Sequence, residues 1–209
     1  MIDMLVADDH PIVRHGVREI VARAEDIRVL DEASDGPETV QKVRTKRYDV
    51  VLLDLVLPGL SGLEVVKQLR GEGRIVPVLF LSALPEEQYA VRSLRAGADG
   101  YLTKECAVDE LISAIRTVAG GKRYVSPATA AALADYVAGS RADLPHDSLS
   151  DRELAVLTLI ASGKTVGQIA AALHLGQTTV STYRTRILQK MGMRTNAELT
   201  YYAVKENLV

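Results

Sequence analysis

Between Met4 and Val118 short apolar runs of strand character alternate five times with amphipathic helical periods. Regular βα repetition of this kind implies a parallel sheet with right-handed crossovers and helices on both faces. The third run carries the most information. Val50-Val51-Leu52-Leu53 does not alternate and is partly β-branched, which suits a strand buried on both faces, and it leads into a single aspartate, Asp54, before Pro58-Gly59 turns the chain. A residue just past the last apolar position of such a strand lies at the carboxyl edge of the sheet, where open α/β folds bind ligands. Asp54 is thus a candidate for chemistry, and from this stretch alone an aspartate that caps a loop reads equally well.

The other runs supply its neighbours. Met4-Leu5-Val6-Ala7 leads into Asp8-Asp9-His10-Pro11, with Ile12, Val13, Val17, Ile20 and Val21 then recurring at helical spacing. A second strand starts at Val29-Leu30, is broken by Ser34-Asp35-Gly36-Pro37, and precedes a helix with Val40 and Val43 inward. Ser61-Gly62-Leu63-Glu64 has the form of a capping box. Val78 to Ser82 reads as the fourth strand, Glu86 to Ala96 as a helix, Gly100 to Lys104 as the fifth strand and Val108 to Val118 as the fifth helix. In such a sheet the carboxyl ends of strands one, three, four and five adjoin, which predicts that Asp8, Asp9, Asp54, Ser82 and Lys104 converge. Hard carboxylate oxygens in small number suit Mg²⁺, with water completing its shell. A carboxylate beside such an ion, a lysine and a hydroxyl is equipped to attack phosphorus and to stabilise charge on the transferred oxygens.

Past Ser126-Pro127 an alanine-rich helix is predicted to about Ala138, and Gly139 to Pro145 reads as a linker. The remainder is purely helical: a capping box at Ser150-Asp151-Arg152-Glu153, a short helix from Val166 to Leu173, a turn at Gly176, a longer helix from Thr178 to Met191, and a last one from Asn196 to Glu206. Two short helices around a tight turn, the second basic, have helix-turn-helix geometry. The net charge of −2 hides an asymmetry: residues 1–125 hold 17 Lys+Arg against 20 Asp+Glu, whereas residues 147–209 hold 7 against 5. Thr178 to Arg194 carries Arg184, Arg186, Lys190 and Arg194 and no acid, the footprint of a phosphate-backbone partner.

Several classes are disfavoured. No apolar run approaches the ~20 residues that span a bilayer, so no membrane association is expected. Asp3, Asp8 and Asp9 stand where a signal peptide needs hydrophobes, and a cytoplasmic protein is the economical reading. The single Cys106 excludes an internal disulfide and a cysteine-built zinc site. Gly163-Lys164-Thr165 imitates the tail of a P-loop, but Thr158 occupies the position of the first glycine. His10, His15, His146 and His174 show no ligand spacing.

The first half resembles a two-component receiver domain, on Asp8-Asp9, Asp54, Ser82, Tyr101 and Lys104. Residues 149–208 resemble the LuxR-type helix-turn-helix of the NarL/FixJ response regulators, on Leu149-Ser150-Asp151-Arg152-Glu153, Ile160-Ala161-Ser162-Gly163-Lys164-Thr165, Thr178-Thr179-Val180-Ser181-Thr182-Tyr183 and Ile187-Leu188-Gln189-Lys190-Met191. The resemblance implies a flavodoxin-like, doubly wound α/β receiver with five parallel strands in the order 2-1-3-4-5 over residues 1–122. It further implies a linker helix and linker over 123–146 and an all-α four-helix helix-turn-helix domain over 147–209. Asp54 would be the phosphoacceptor for a sensor histidine kinase, with Mg²⁺ held by Asp8, Asp9, Asp54 and the Val56 carbonyl. Lys104 would neutralise the phosphoryl group, and Ser82 and Tyr101 would switch. Glu105 stands where many receivers have proline, and apolar Val56 and Leu84 suggest slow self-dephosphorylation.

On double-stranded DNA, Ser181, Thr182 and Thr185 would face base edges from a recognition helix beginning at Thr178, and Lys164, Thr179, Tyr183, Arg184, Arg186 and Lys190 would contact phosphates. Leu199, Tyr202 and Val204 would pair two copies on an inverted repeat once the protein is phosphorylated. An aspartyl-phosphate hydrolase also uses an aspartate at a strand end, but generally needs a second one two residues on, where this chain has Val56. The expectation is a regulator and not an enzyme.

Overall fold

Burial of β3 on both faces sets the frame. The computed structural model describes residues 1–137, 144–206 and 208–209, and the chain divides into two units, Met1–Ala134 and Asp135–Val209. The first unit carries β1 (Ile2–Ala7), α1 (Pro11–Val21), β2 (Ile27–Ala33), α2 (Gly36–Thr45), β3 (Val50–Leu53), α3 (Gly62–Gly71), β4 (Val78–Ser82), α4 (Glu86–Ala96), β5 (Gly100–Thr103) and α5 (Val108–Ala119). The strands form one sheet in the order β2-β1-β3-β4-β5, every pair parallel, as the alternation predicts. All four residues of β3 are buried, and each large aliphatic side chain so placed stabilises the fold by about 1.5–3 kcal/mol.

β2 departs from expectation by starting at Ile27. It is an edge strand, and Leu30, expected near its start, is 37% exposed while Ile27 is buried opposite Ile2. Half-solvated edges weaken the apolar signal that marks a strand.

Register brings the strand ends level. Ala7 pairs with Leu53, Leu53 with Phe80, and Ser82 with Thr103. The Asp54 amide donates to the Ala7 carbonyl at 2.8 Å and the Lys104 amide to the Ser82 carbonyl at 2.8 Å, so the ladder continues one residue into the functional edge. The Ser61–Glu64 capping box forms as expected and opens α3. α1 starts differently: His10 is its N-cap without a side-chain bond and Pro11 follows. One oxygen of Asp8 accepts the His10 amide at 2.9 Å.

α6 (Pro127–Val137) crosses the division between the units. Ala138 and residues 139–143 of the expected linker lie outside the described residues. The second unit then carries a 3₁₀ turn at Pro145–Ser148, α7 (Asp151–Ala161), α8 (Val166–Ala172), α9 (Gln177–Lys190) and α10 (Asn196–Lys205). Its core gathers Leu154, Val156 and Leu157 of α7, Ile169 of α8, Val180 and Ile187 of α9, and Leu199 and Ala203 of α10.

The expected turn at Gly176 is corrected. Gly176 has φ −71° and serves as the N-cap of α9, whereas His174 takes the left-handed conformation at φ 53°. The Leu175 amide reaches back to the Ala170 carbonyl at 2.9 Å, the bond that closes a helix around a left-handed residue. A histidine there carries no sequence signal comparable to glycine.

Gly62 is needed for close approach. A β-carbon there would stand 2.3 Å from the Asp54 carbonyl oxygen, 2.6 Å from the Phe80 ring and 3.0 Å from the Leu55 α-carbon. Two of these are backbone atoms next to the functional edge. Gly62→Ala is expected to cost about 1–3 kcal/mol, read as a lower urea midpoint at unchanged slope; a midpoint equal to wild type would refute the packing argument.

Candidate functional site

The carboxyl edge of the sheet gathers residues from three strand ends. Asp8 follows β1 and Asp54 follows β3, and both are buried, at 3% and 4% exposure. Lys104, following β5, places its Nζ 2.7 Å from Oδ2 of Asp8 and 2.7 Å from Oδ2 of Asp54. The other Asp54 oxygen accepts the Val56 amide at 3.3 Å. Arg14 of α1 donates to the Asp8 carbonyl at 2.6 Å and to Glu32 at 2.9 Å, which pins the turn carrying both N-terminal aspartates. Sequence reasoning missed Arg14, whose only mark is its position on the first helical turn.

His10 was also passed over. Its Nδ1 lies 2.7 Å from Asp9 Oδ1 and 3.3 Å from Asp8 Oδ1. Asp8, Asp9, His10 and Asp54 each offer one ligand atom, and these atoms all lie within 4.8 Å of one another. The four histidines show no ligand spacing among themselves, and His10 instead lies beside the two aspartates that precede it in the chain. Three carboxylates fit Mg²⁺, which takes few protein oxygens and keeps several waters, and the imidazole is not a donor Mg²⁺ requires.

Electrostatics follow from burial. Burial pushes the Asp54 carboxyl above its ordinary value; the Lys104 ammonium pulls it down and Asp8 pushes it up again. Burial also works against the charge on Lys104, but Asp54 and Asp8 overcome it and hold the ammonium above its ordinary value. Three acids facing one ammonium leave the pocket with surplus negative charge, which an incoming cation relieves.

Ser82 and Tyr101 meet at one residue. The fully buried Ser82 hydroxyl accepts the Leu84 amide at 3.3 Å, and the Tyr101 hydroxyl donates to the Leu84 carbonyl at 2.7 Å. The Tyr101 ring is buried and tilted 39° against Phe80 at 6.3 Å between centroids. Burial raises its hydroxyl well above the ordinary range, opposed by a hydrogen bond with Ser82. The peptide after Lys104 is trans, as are the others among the described residues.

In the second unit Val180 and Ile187 anchor α9 inward. Thr178, Thr179, Ser181, Thr182, Thr185 and Arg186 are exposed, as is Lys164 ahead of α8, while Tyr183 and Arg184 are half-buried. Thr182 and Thr185 donate their hydroxyl hydrogens back to the carbonyls of Thr178 and Ser181 at 3.0 and 3.1 Å, which leaves oxygen lone pairs and methyls for a partner. Arg184 donates to Asn196 at 2.6 Å. Lys190 is set apart: its ammonium lies 2.6 Å from the buried Glu153 carboxylate.

The expected pairing surface on α10 is corrected. Leu199 is fully buried, and the Tyr202 hydroxyl is 2.8 Å from His146 Nδ1 with the rings edge-on at 5.8 Å. Both side chains are used within the unit. Val204 is 57% exposed, and Tyr201, which sequence reasoning missed, is 73% exposed. A helix with apolar residues on two faces does not reveal from sequence which face the core takes.

Asp54 unfolded ionises at 3.8 and folded at a higher value. Stability from this group is therefore greatest below pH 3.8 and is lost as the pH rises through the folded value. Asp54→Asn, with Lys104 still held by Asp8, is expected to melt above wild type at neutral pH in chelator, an advantage that shrinks on acidification to about pH 4. A wild-type protein that melts higher at neutral pH would contradict this sign.

Comparison with known proteins places these two sites in one family. The profile of the response regulator receiver domain matches residues 4–116, and that of the bacterial regulatory proteins of the luxR family matches residues 147–203. Response regulator UvrY of Escherichia coli (strain K12) is 36% identical over 209 residues, covering 100% of this chain and 96% of the relative. Response regulator GacA of Pseudomonas aeruginosa is 37% identical over 210 residues, covering 100% and 98%. RcsB from Salmonella enterica serovar Typhimurium, solved bound to promoter rprA with the phosphomimetic BeF3⁻, shares the fold at a TM-score of 0.64 and 24% identity over 96% of this chain and 97% of that one. A receiver edge and a LuxR-type helix-turn-helix on one chain, with full-length relatives of the same plan, make this protein a member of the NarL/FixJ family of two-component response regulators.

Proposed function

We propose that this chain is a phosphorylation-activated, DNA-binding transcription regulator whose phosphoacceptor is Asp54. The observation that carries the reading is the Lys104 ammonium bridging two buried carboxylates from separate strands. An Asp54 oxygen attacks phosphorus on the phosphohistidine of a sensor kinase: the O–P bond forms, the P–N bond breaks, and the imidazole nitrogen keeps the electron pair. Lys104 moves its hydrogen bonds onto the transferred oxygens, and the Val56 amide holds the aspartyl group in line. Asp8, Asp9 and Asp54, with the Val56 carbonyl, would hold Mg²⁺, which would supply positive charge to neutralise the phosphoryl oxygens. Ser82 then donates to a phosphoryl oxygen, and with Tyr101 it alters the surface around Leu84.

The output is a homodimer on double-stranded DNA, with an inverted repeat matching protein two-fold symmetry. In this reading Ser181, Thr182 and Thr185 face base edges, and Thr178, Thr179, Tyr183, Arg184, Arg186 and Lys164 contact the backbone. Lys190 is assigned to Glu153 inside the unit. The pairing surface is the exposed stripe Ala197, Tyr201 and Val204 of α10. The functional divisions are a receiver over 1–122, a connecting segment over 123–146 and a DNA-binding domain over 147–209. Such a regulator acts in the cytoplasm and has no catalytic turnover of its own beyond its phosphorylation.

Incubation with a small-molecule phosphodonor and Mg²⁺ tests the reading. Wild type is expected to take up phosphate, dimerise and bind DNA on the order of tenfold more tightly, and Asp54→Ala to do none of these. Equal DNA binding by both proteins with no response to the donor would refute it. Tyr201→Glu is expected to leave phosphate uptake at the wild-type level while weakening dimerisation and DNA binding by about tenfold or more; an unchanged sedimentation profile would exclude α10 as the pairing surface.

A further inference from the structure

The linker helix begins on a carboxylate of α4. Glu86 is the first residue of α4 and lies in its first turn. Its Oε1 accepts the hydroxyls of both Ser126 and Thr129. Ser126 also caps α6, taking the Thr129 amide on its oxygen at 3.0 Å. Ser126 and Thr129 are buried at 9% and 2% exposure, so these bonds are shielded from water. One carboxylate therefore serves two helix N-termini, each carrying partial positive charge, through charge-assisted hydrogen bonds. The chain between α5 and α6 is also held on the sheet: the Tyr124 amide donates to the Asp99 carbonyl at 2.8 Å, and Tyr124 bonds Glu110 at 2.7 Å.

The position of this clasp gives it meaning. Only Pro85 separates Glu86 from Leu84, whose amide is held by Ser82 and whose carbonyl is held by Tyr101. Pro85, at φ −60°, is the N-cap of α4 and allows little torsional slack between the two. A Ser82 hydroxyl that turns toward a phosphoryl oxygen gives up the Leu84 amide. Residues 83–85 then shift, and the carboxylate at their end shifts with them. α6 runs on past Ala134 into the second unit, so what loosens its first turn is delivered toward the DNA-binding half.

We infer that Glu86 is the residue that couples phosphorylation to the linker helix: it clasps Ser126 and Thr129 in the unphosphorylated protein and lets them go when Ser82 leaves Leu84. The inference rests on the reading of Asp54 as phosphoacceptor. Glu86 is not among the phosphate- or metal-holding residues, and the hydroxyls bonded to its carboxylate are those of Ser126 and Thr129 at the start of α6.

Amide hydrogen exchange over residues 126–134 of the full chain, before and after phosphodonor with Mg²⁺, tests the clasp. In wild type these amides are expected to exchange about ten- to a hundredfold faster after phosphorylation, the factor carried by hydrogen bonds to a charged group. Glu86→Ala is expected to take up phosphate at the wild-type rate, to exchange at the fast level from the start, and to gain little DNA affinity on phosphorylation. Thr129→Val, which keeps Glu86, is expected to give an intermediate rate, and adding it to Glu86→Ala should change nothing further. Normal phosphate uptake certifies that each receiver is folded. A wild type that takes no phosphate overturns the Asp54 reading and this inference together. A wild type and a Glu86→Ala protein that both take phosphate and show the same response over 126–134 overturn the inference alone.

Discussion

Everything at the receiver edge depends on one ammonium among three acids. Lys104 reaches Asp8 and Asp54 at equal distance from the end of β5, and without it β1 and β3 would bring two buried carboxylates together with no ammonium between them. An isolated buried carboxylate carries a large desolvation cost. The residual imbalance is useful: a pocket that is more negative than its lysine can neutralise accepts a divalent cation readily.

The fold makes this arrangement possible because parallel strands end together. Ala7, Leu53 and Phe80 are in register across three strands, and Ser82 and Thr103 across β4 and β5. Residues distant in the chain thus share one edge without any loop having to reach. Gly62 tightens the edge from beneath by bringing α3 against the Asp54 carbonyl. Leu84 is held on both sides, its amide by Ser82 and its carbonyl by Tyr101.

Much of this was legible in the sequence, and the failures have physical reasons. Buried strands announced themselves through Val50 to Leu53 and Val78 to Ser82, and the Ser61–Glu64 and Ser150–Glu153 boxes marked helix starts through reciprocal hydrogen bonds that need specific residues at fixed spacing. The convergence of Asp8, Asp54 and Lys104 followed from topology alone. His10 was missed because its proximity to Asp9 depends on how one turn is wound. His174 was missed because it adopts a conformation usually left to glycine or asparagine. On α10 the periods of Leu199/Ala203 and of Ala197/Tyr201/Val204 are equally apolar, and only packing against α7 decides between them.

Lys190 shows why a basic stripe is not a contact list. Counted by charge it belongs with Arg184 and Arg186, yet its ammonium sits on Glu153. Burial pushes that carboxyl up, but Lys190 and the Ser150 backbone outweigh burial and hold it below its ordinary value. Glu153 also closes the capping box of α7 through the Ser150 amide at 2.8 Å. One carboxylate thus fixes the start of α7 and the end of α9. It ties the two helices together at that point, so the Lys190 ammonium has a partner within the unit while its side chain stays 41% exposed.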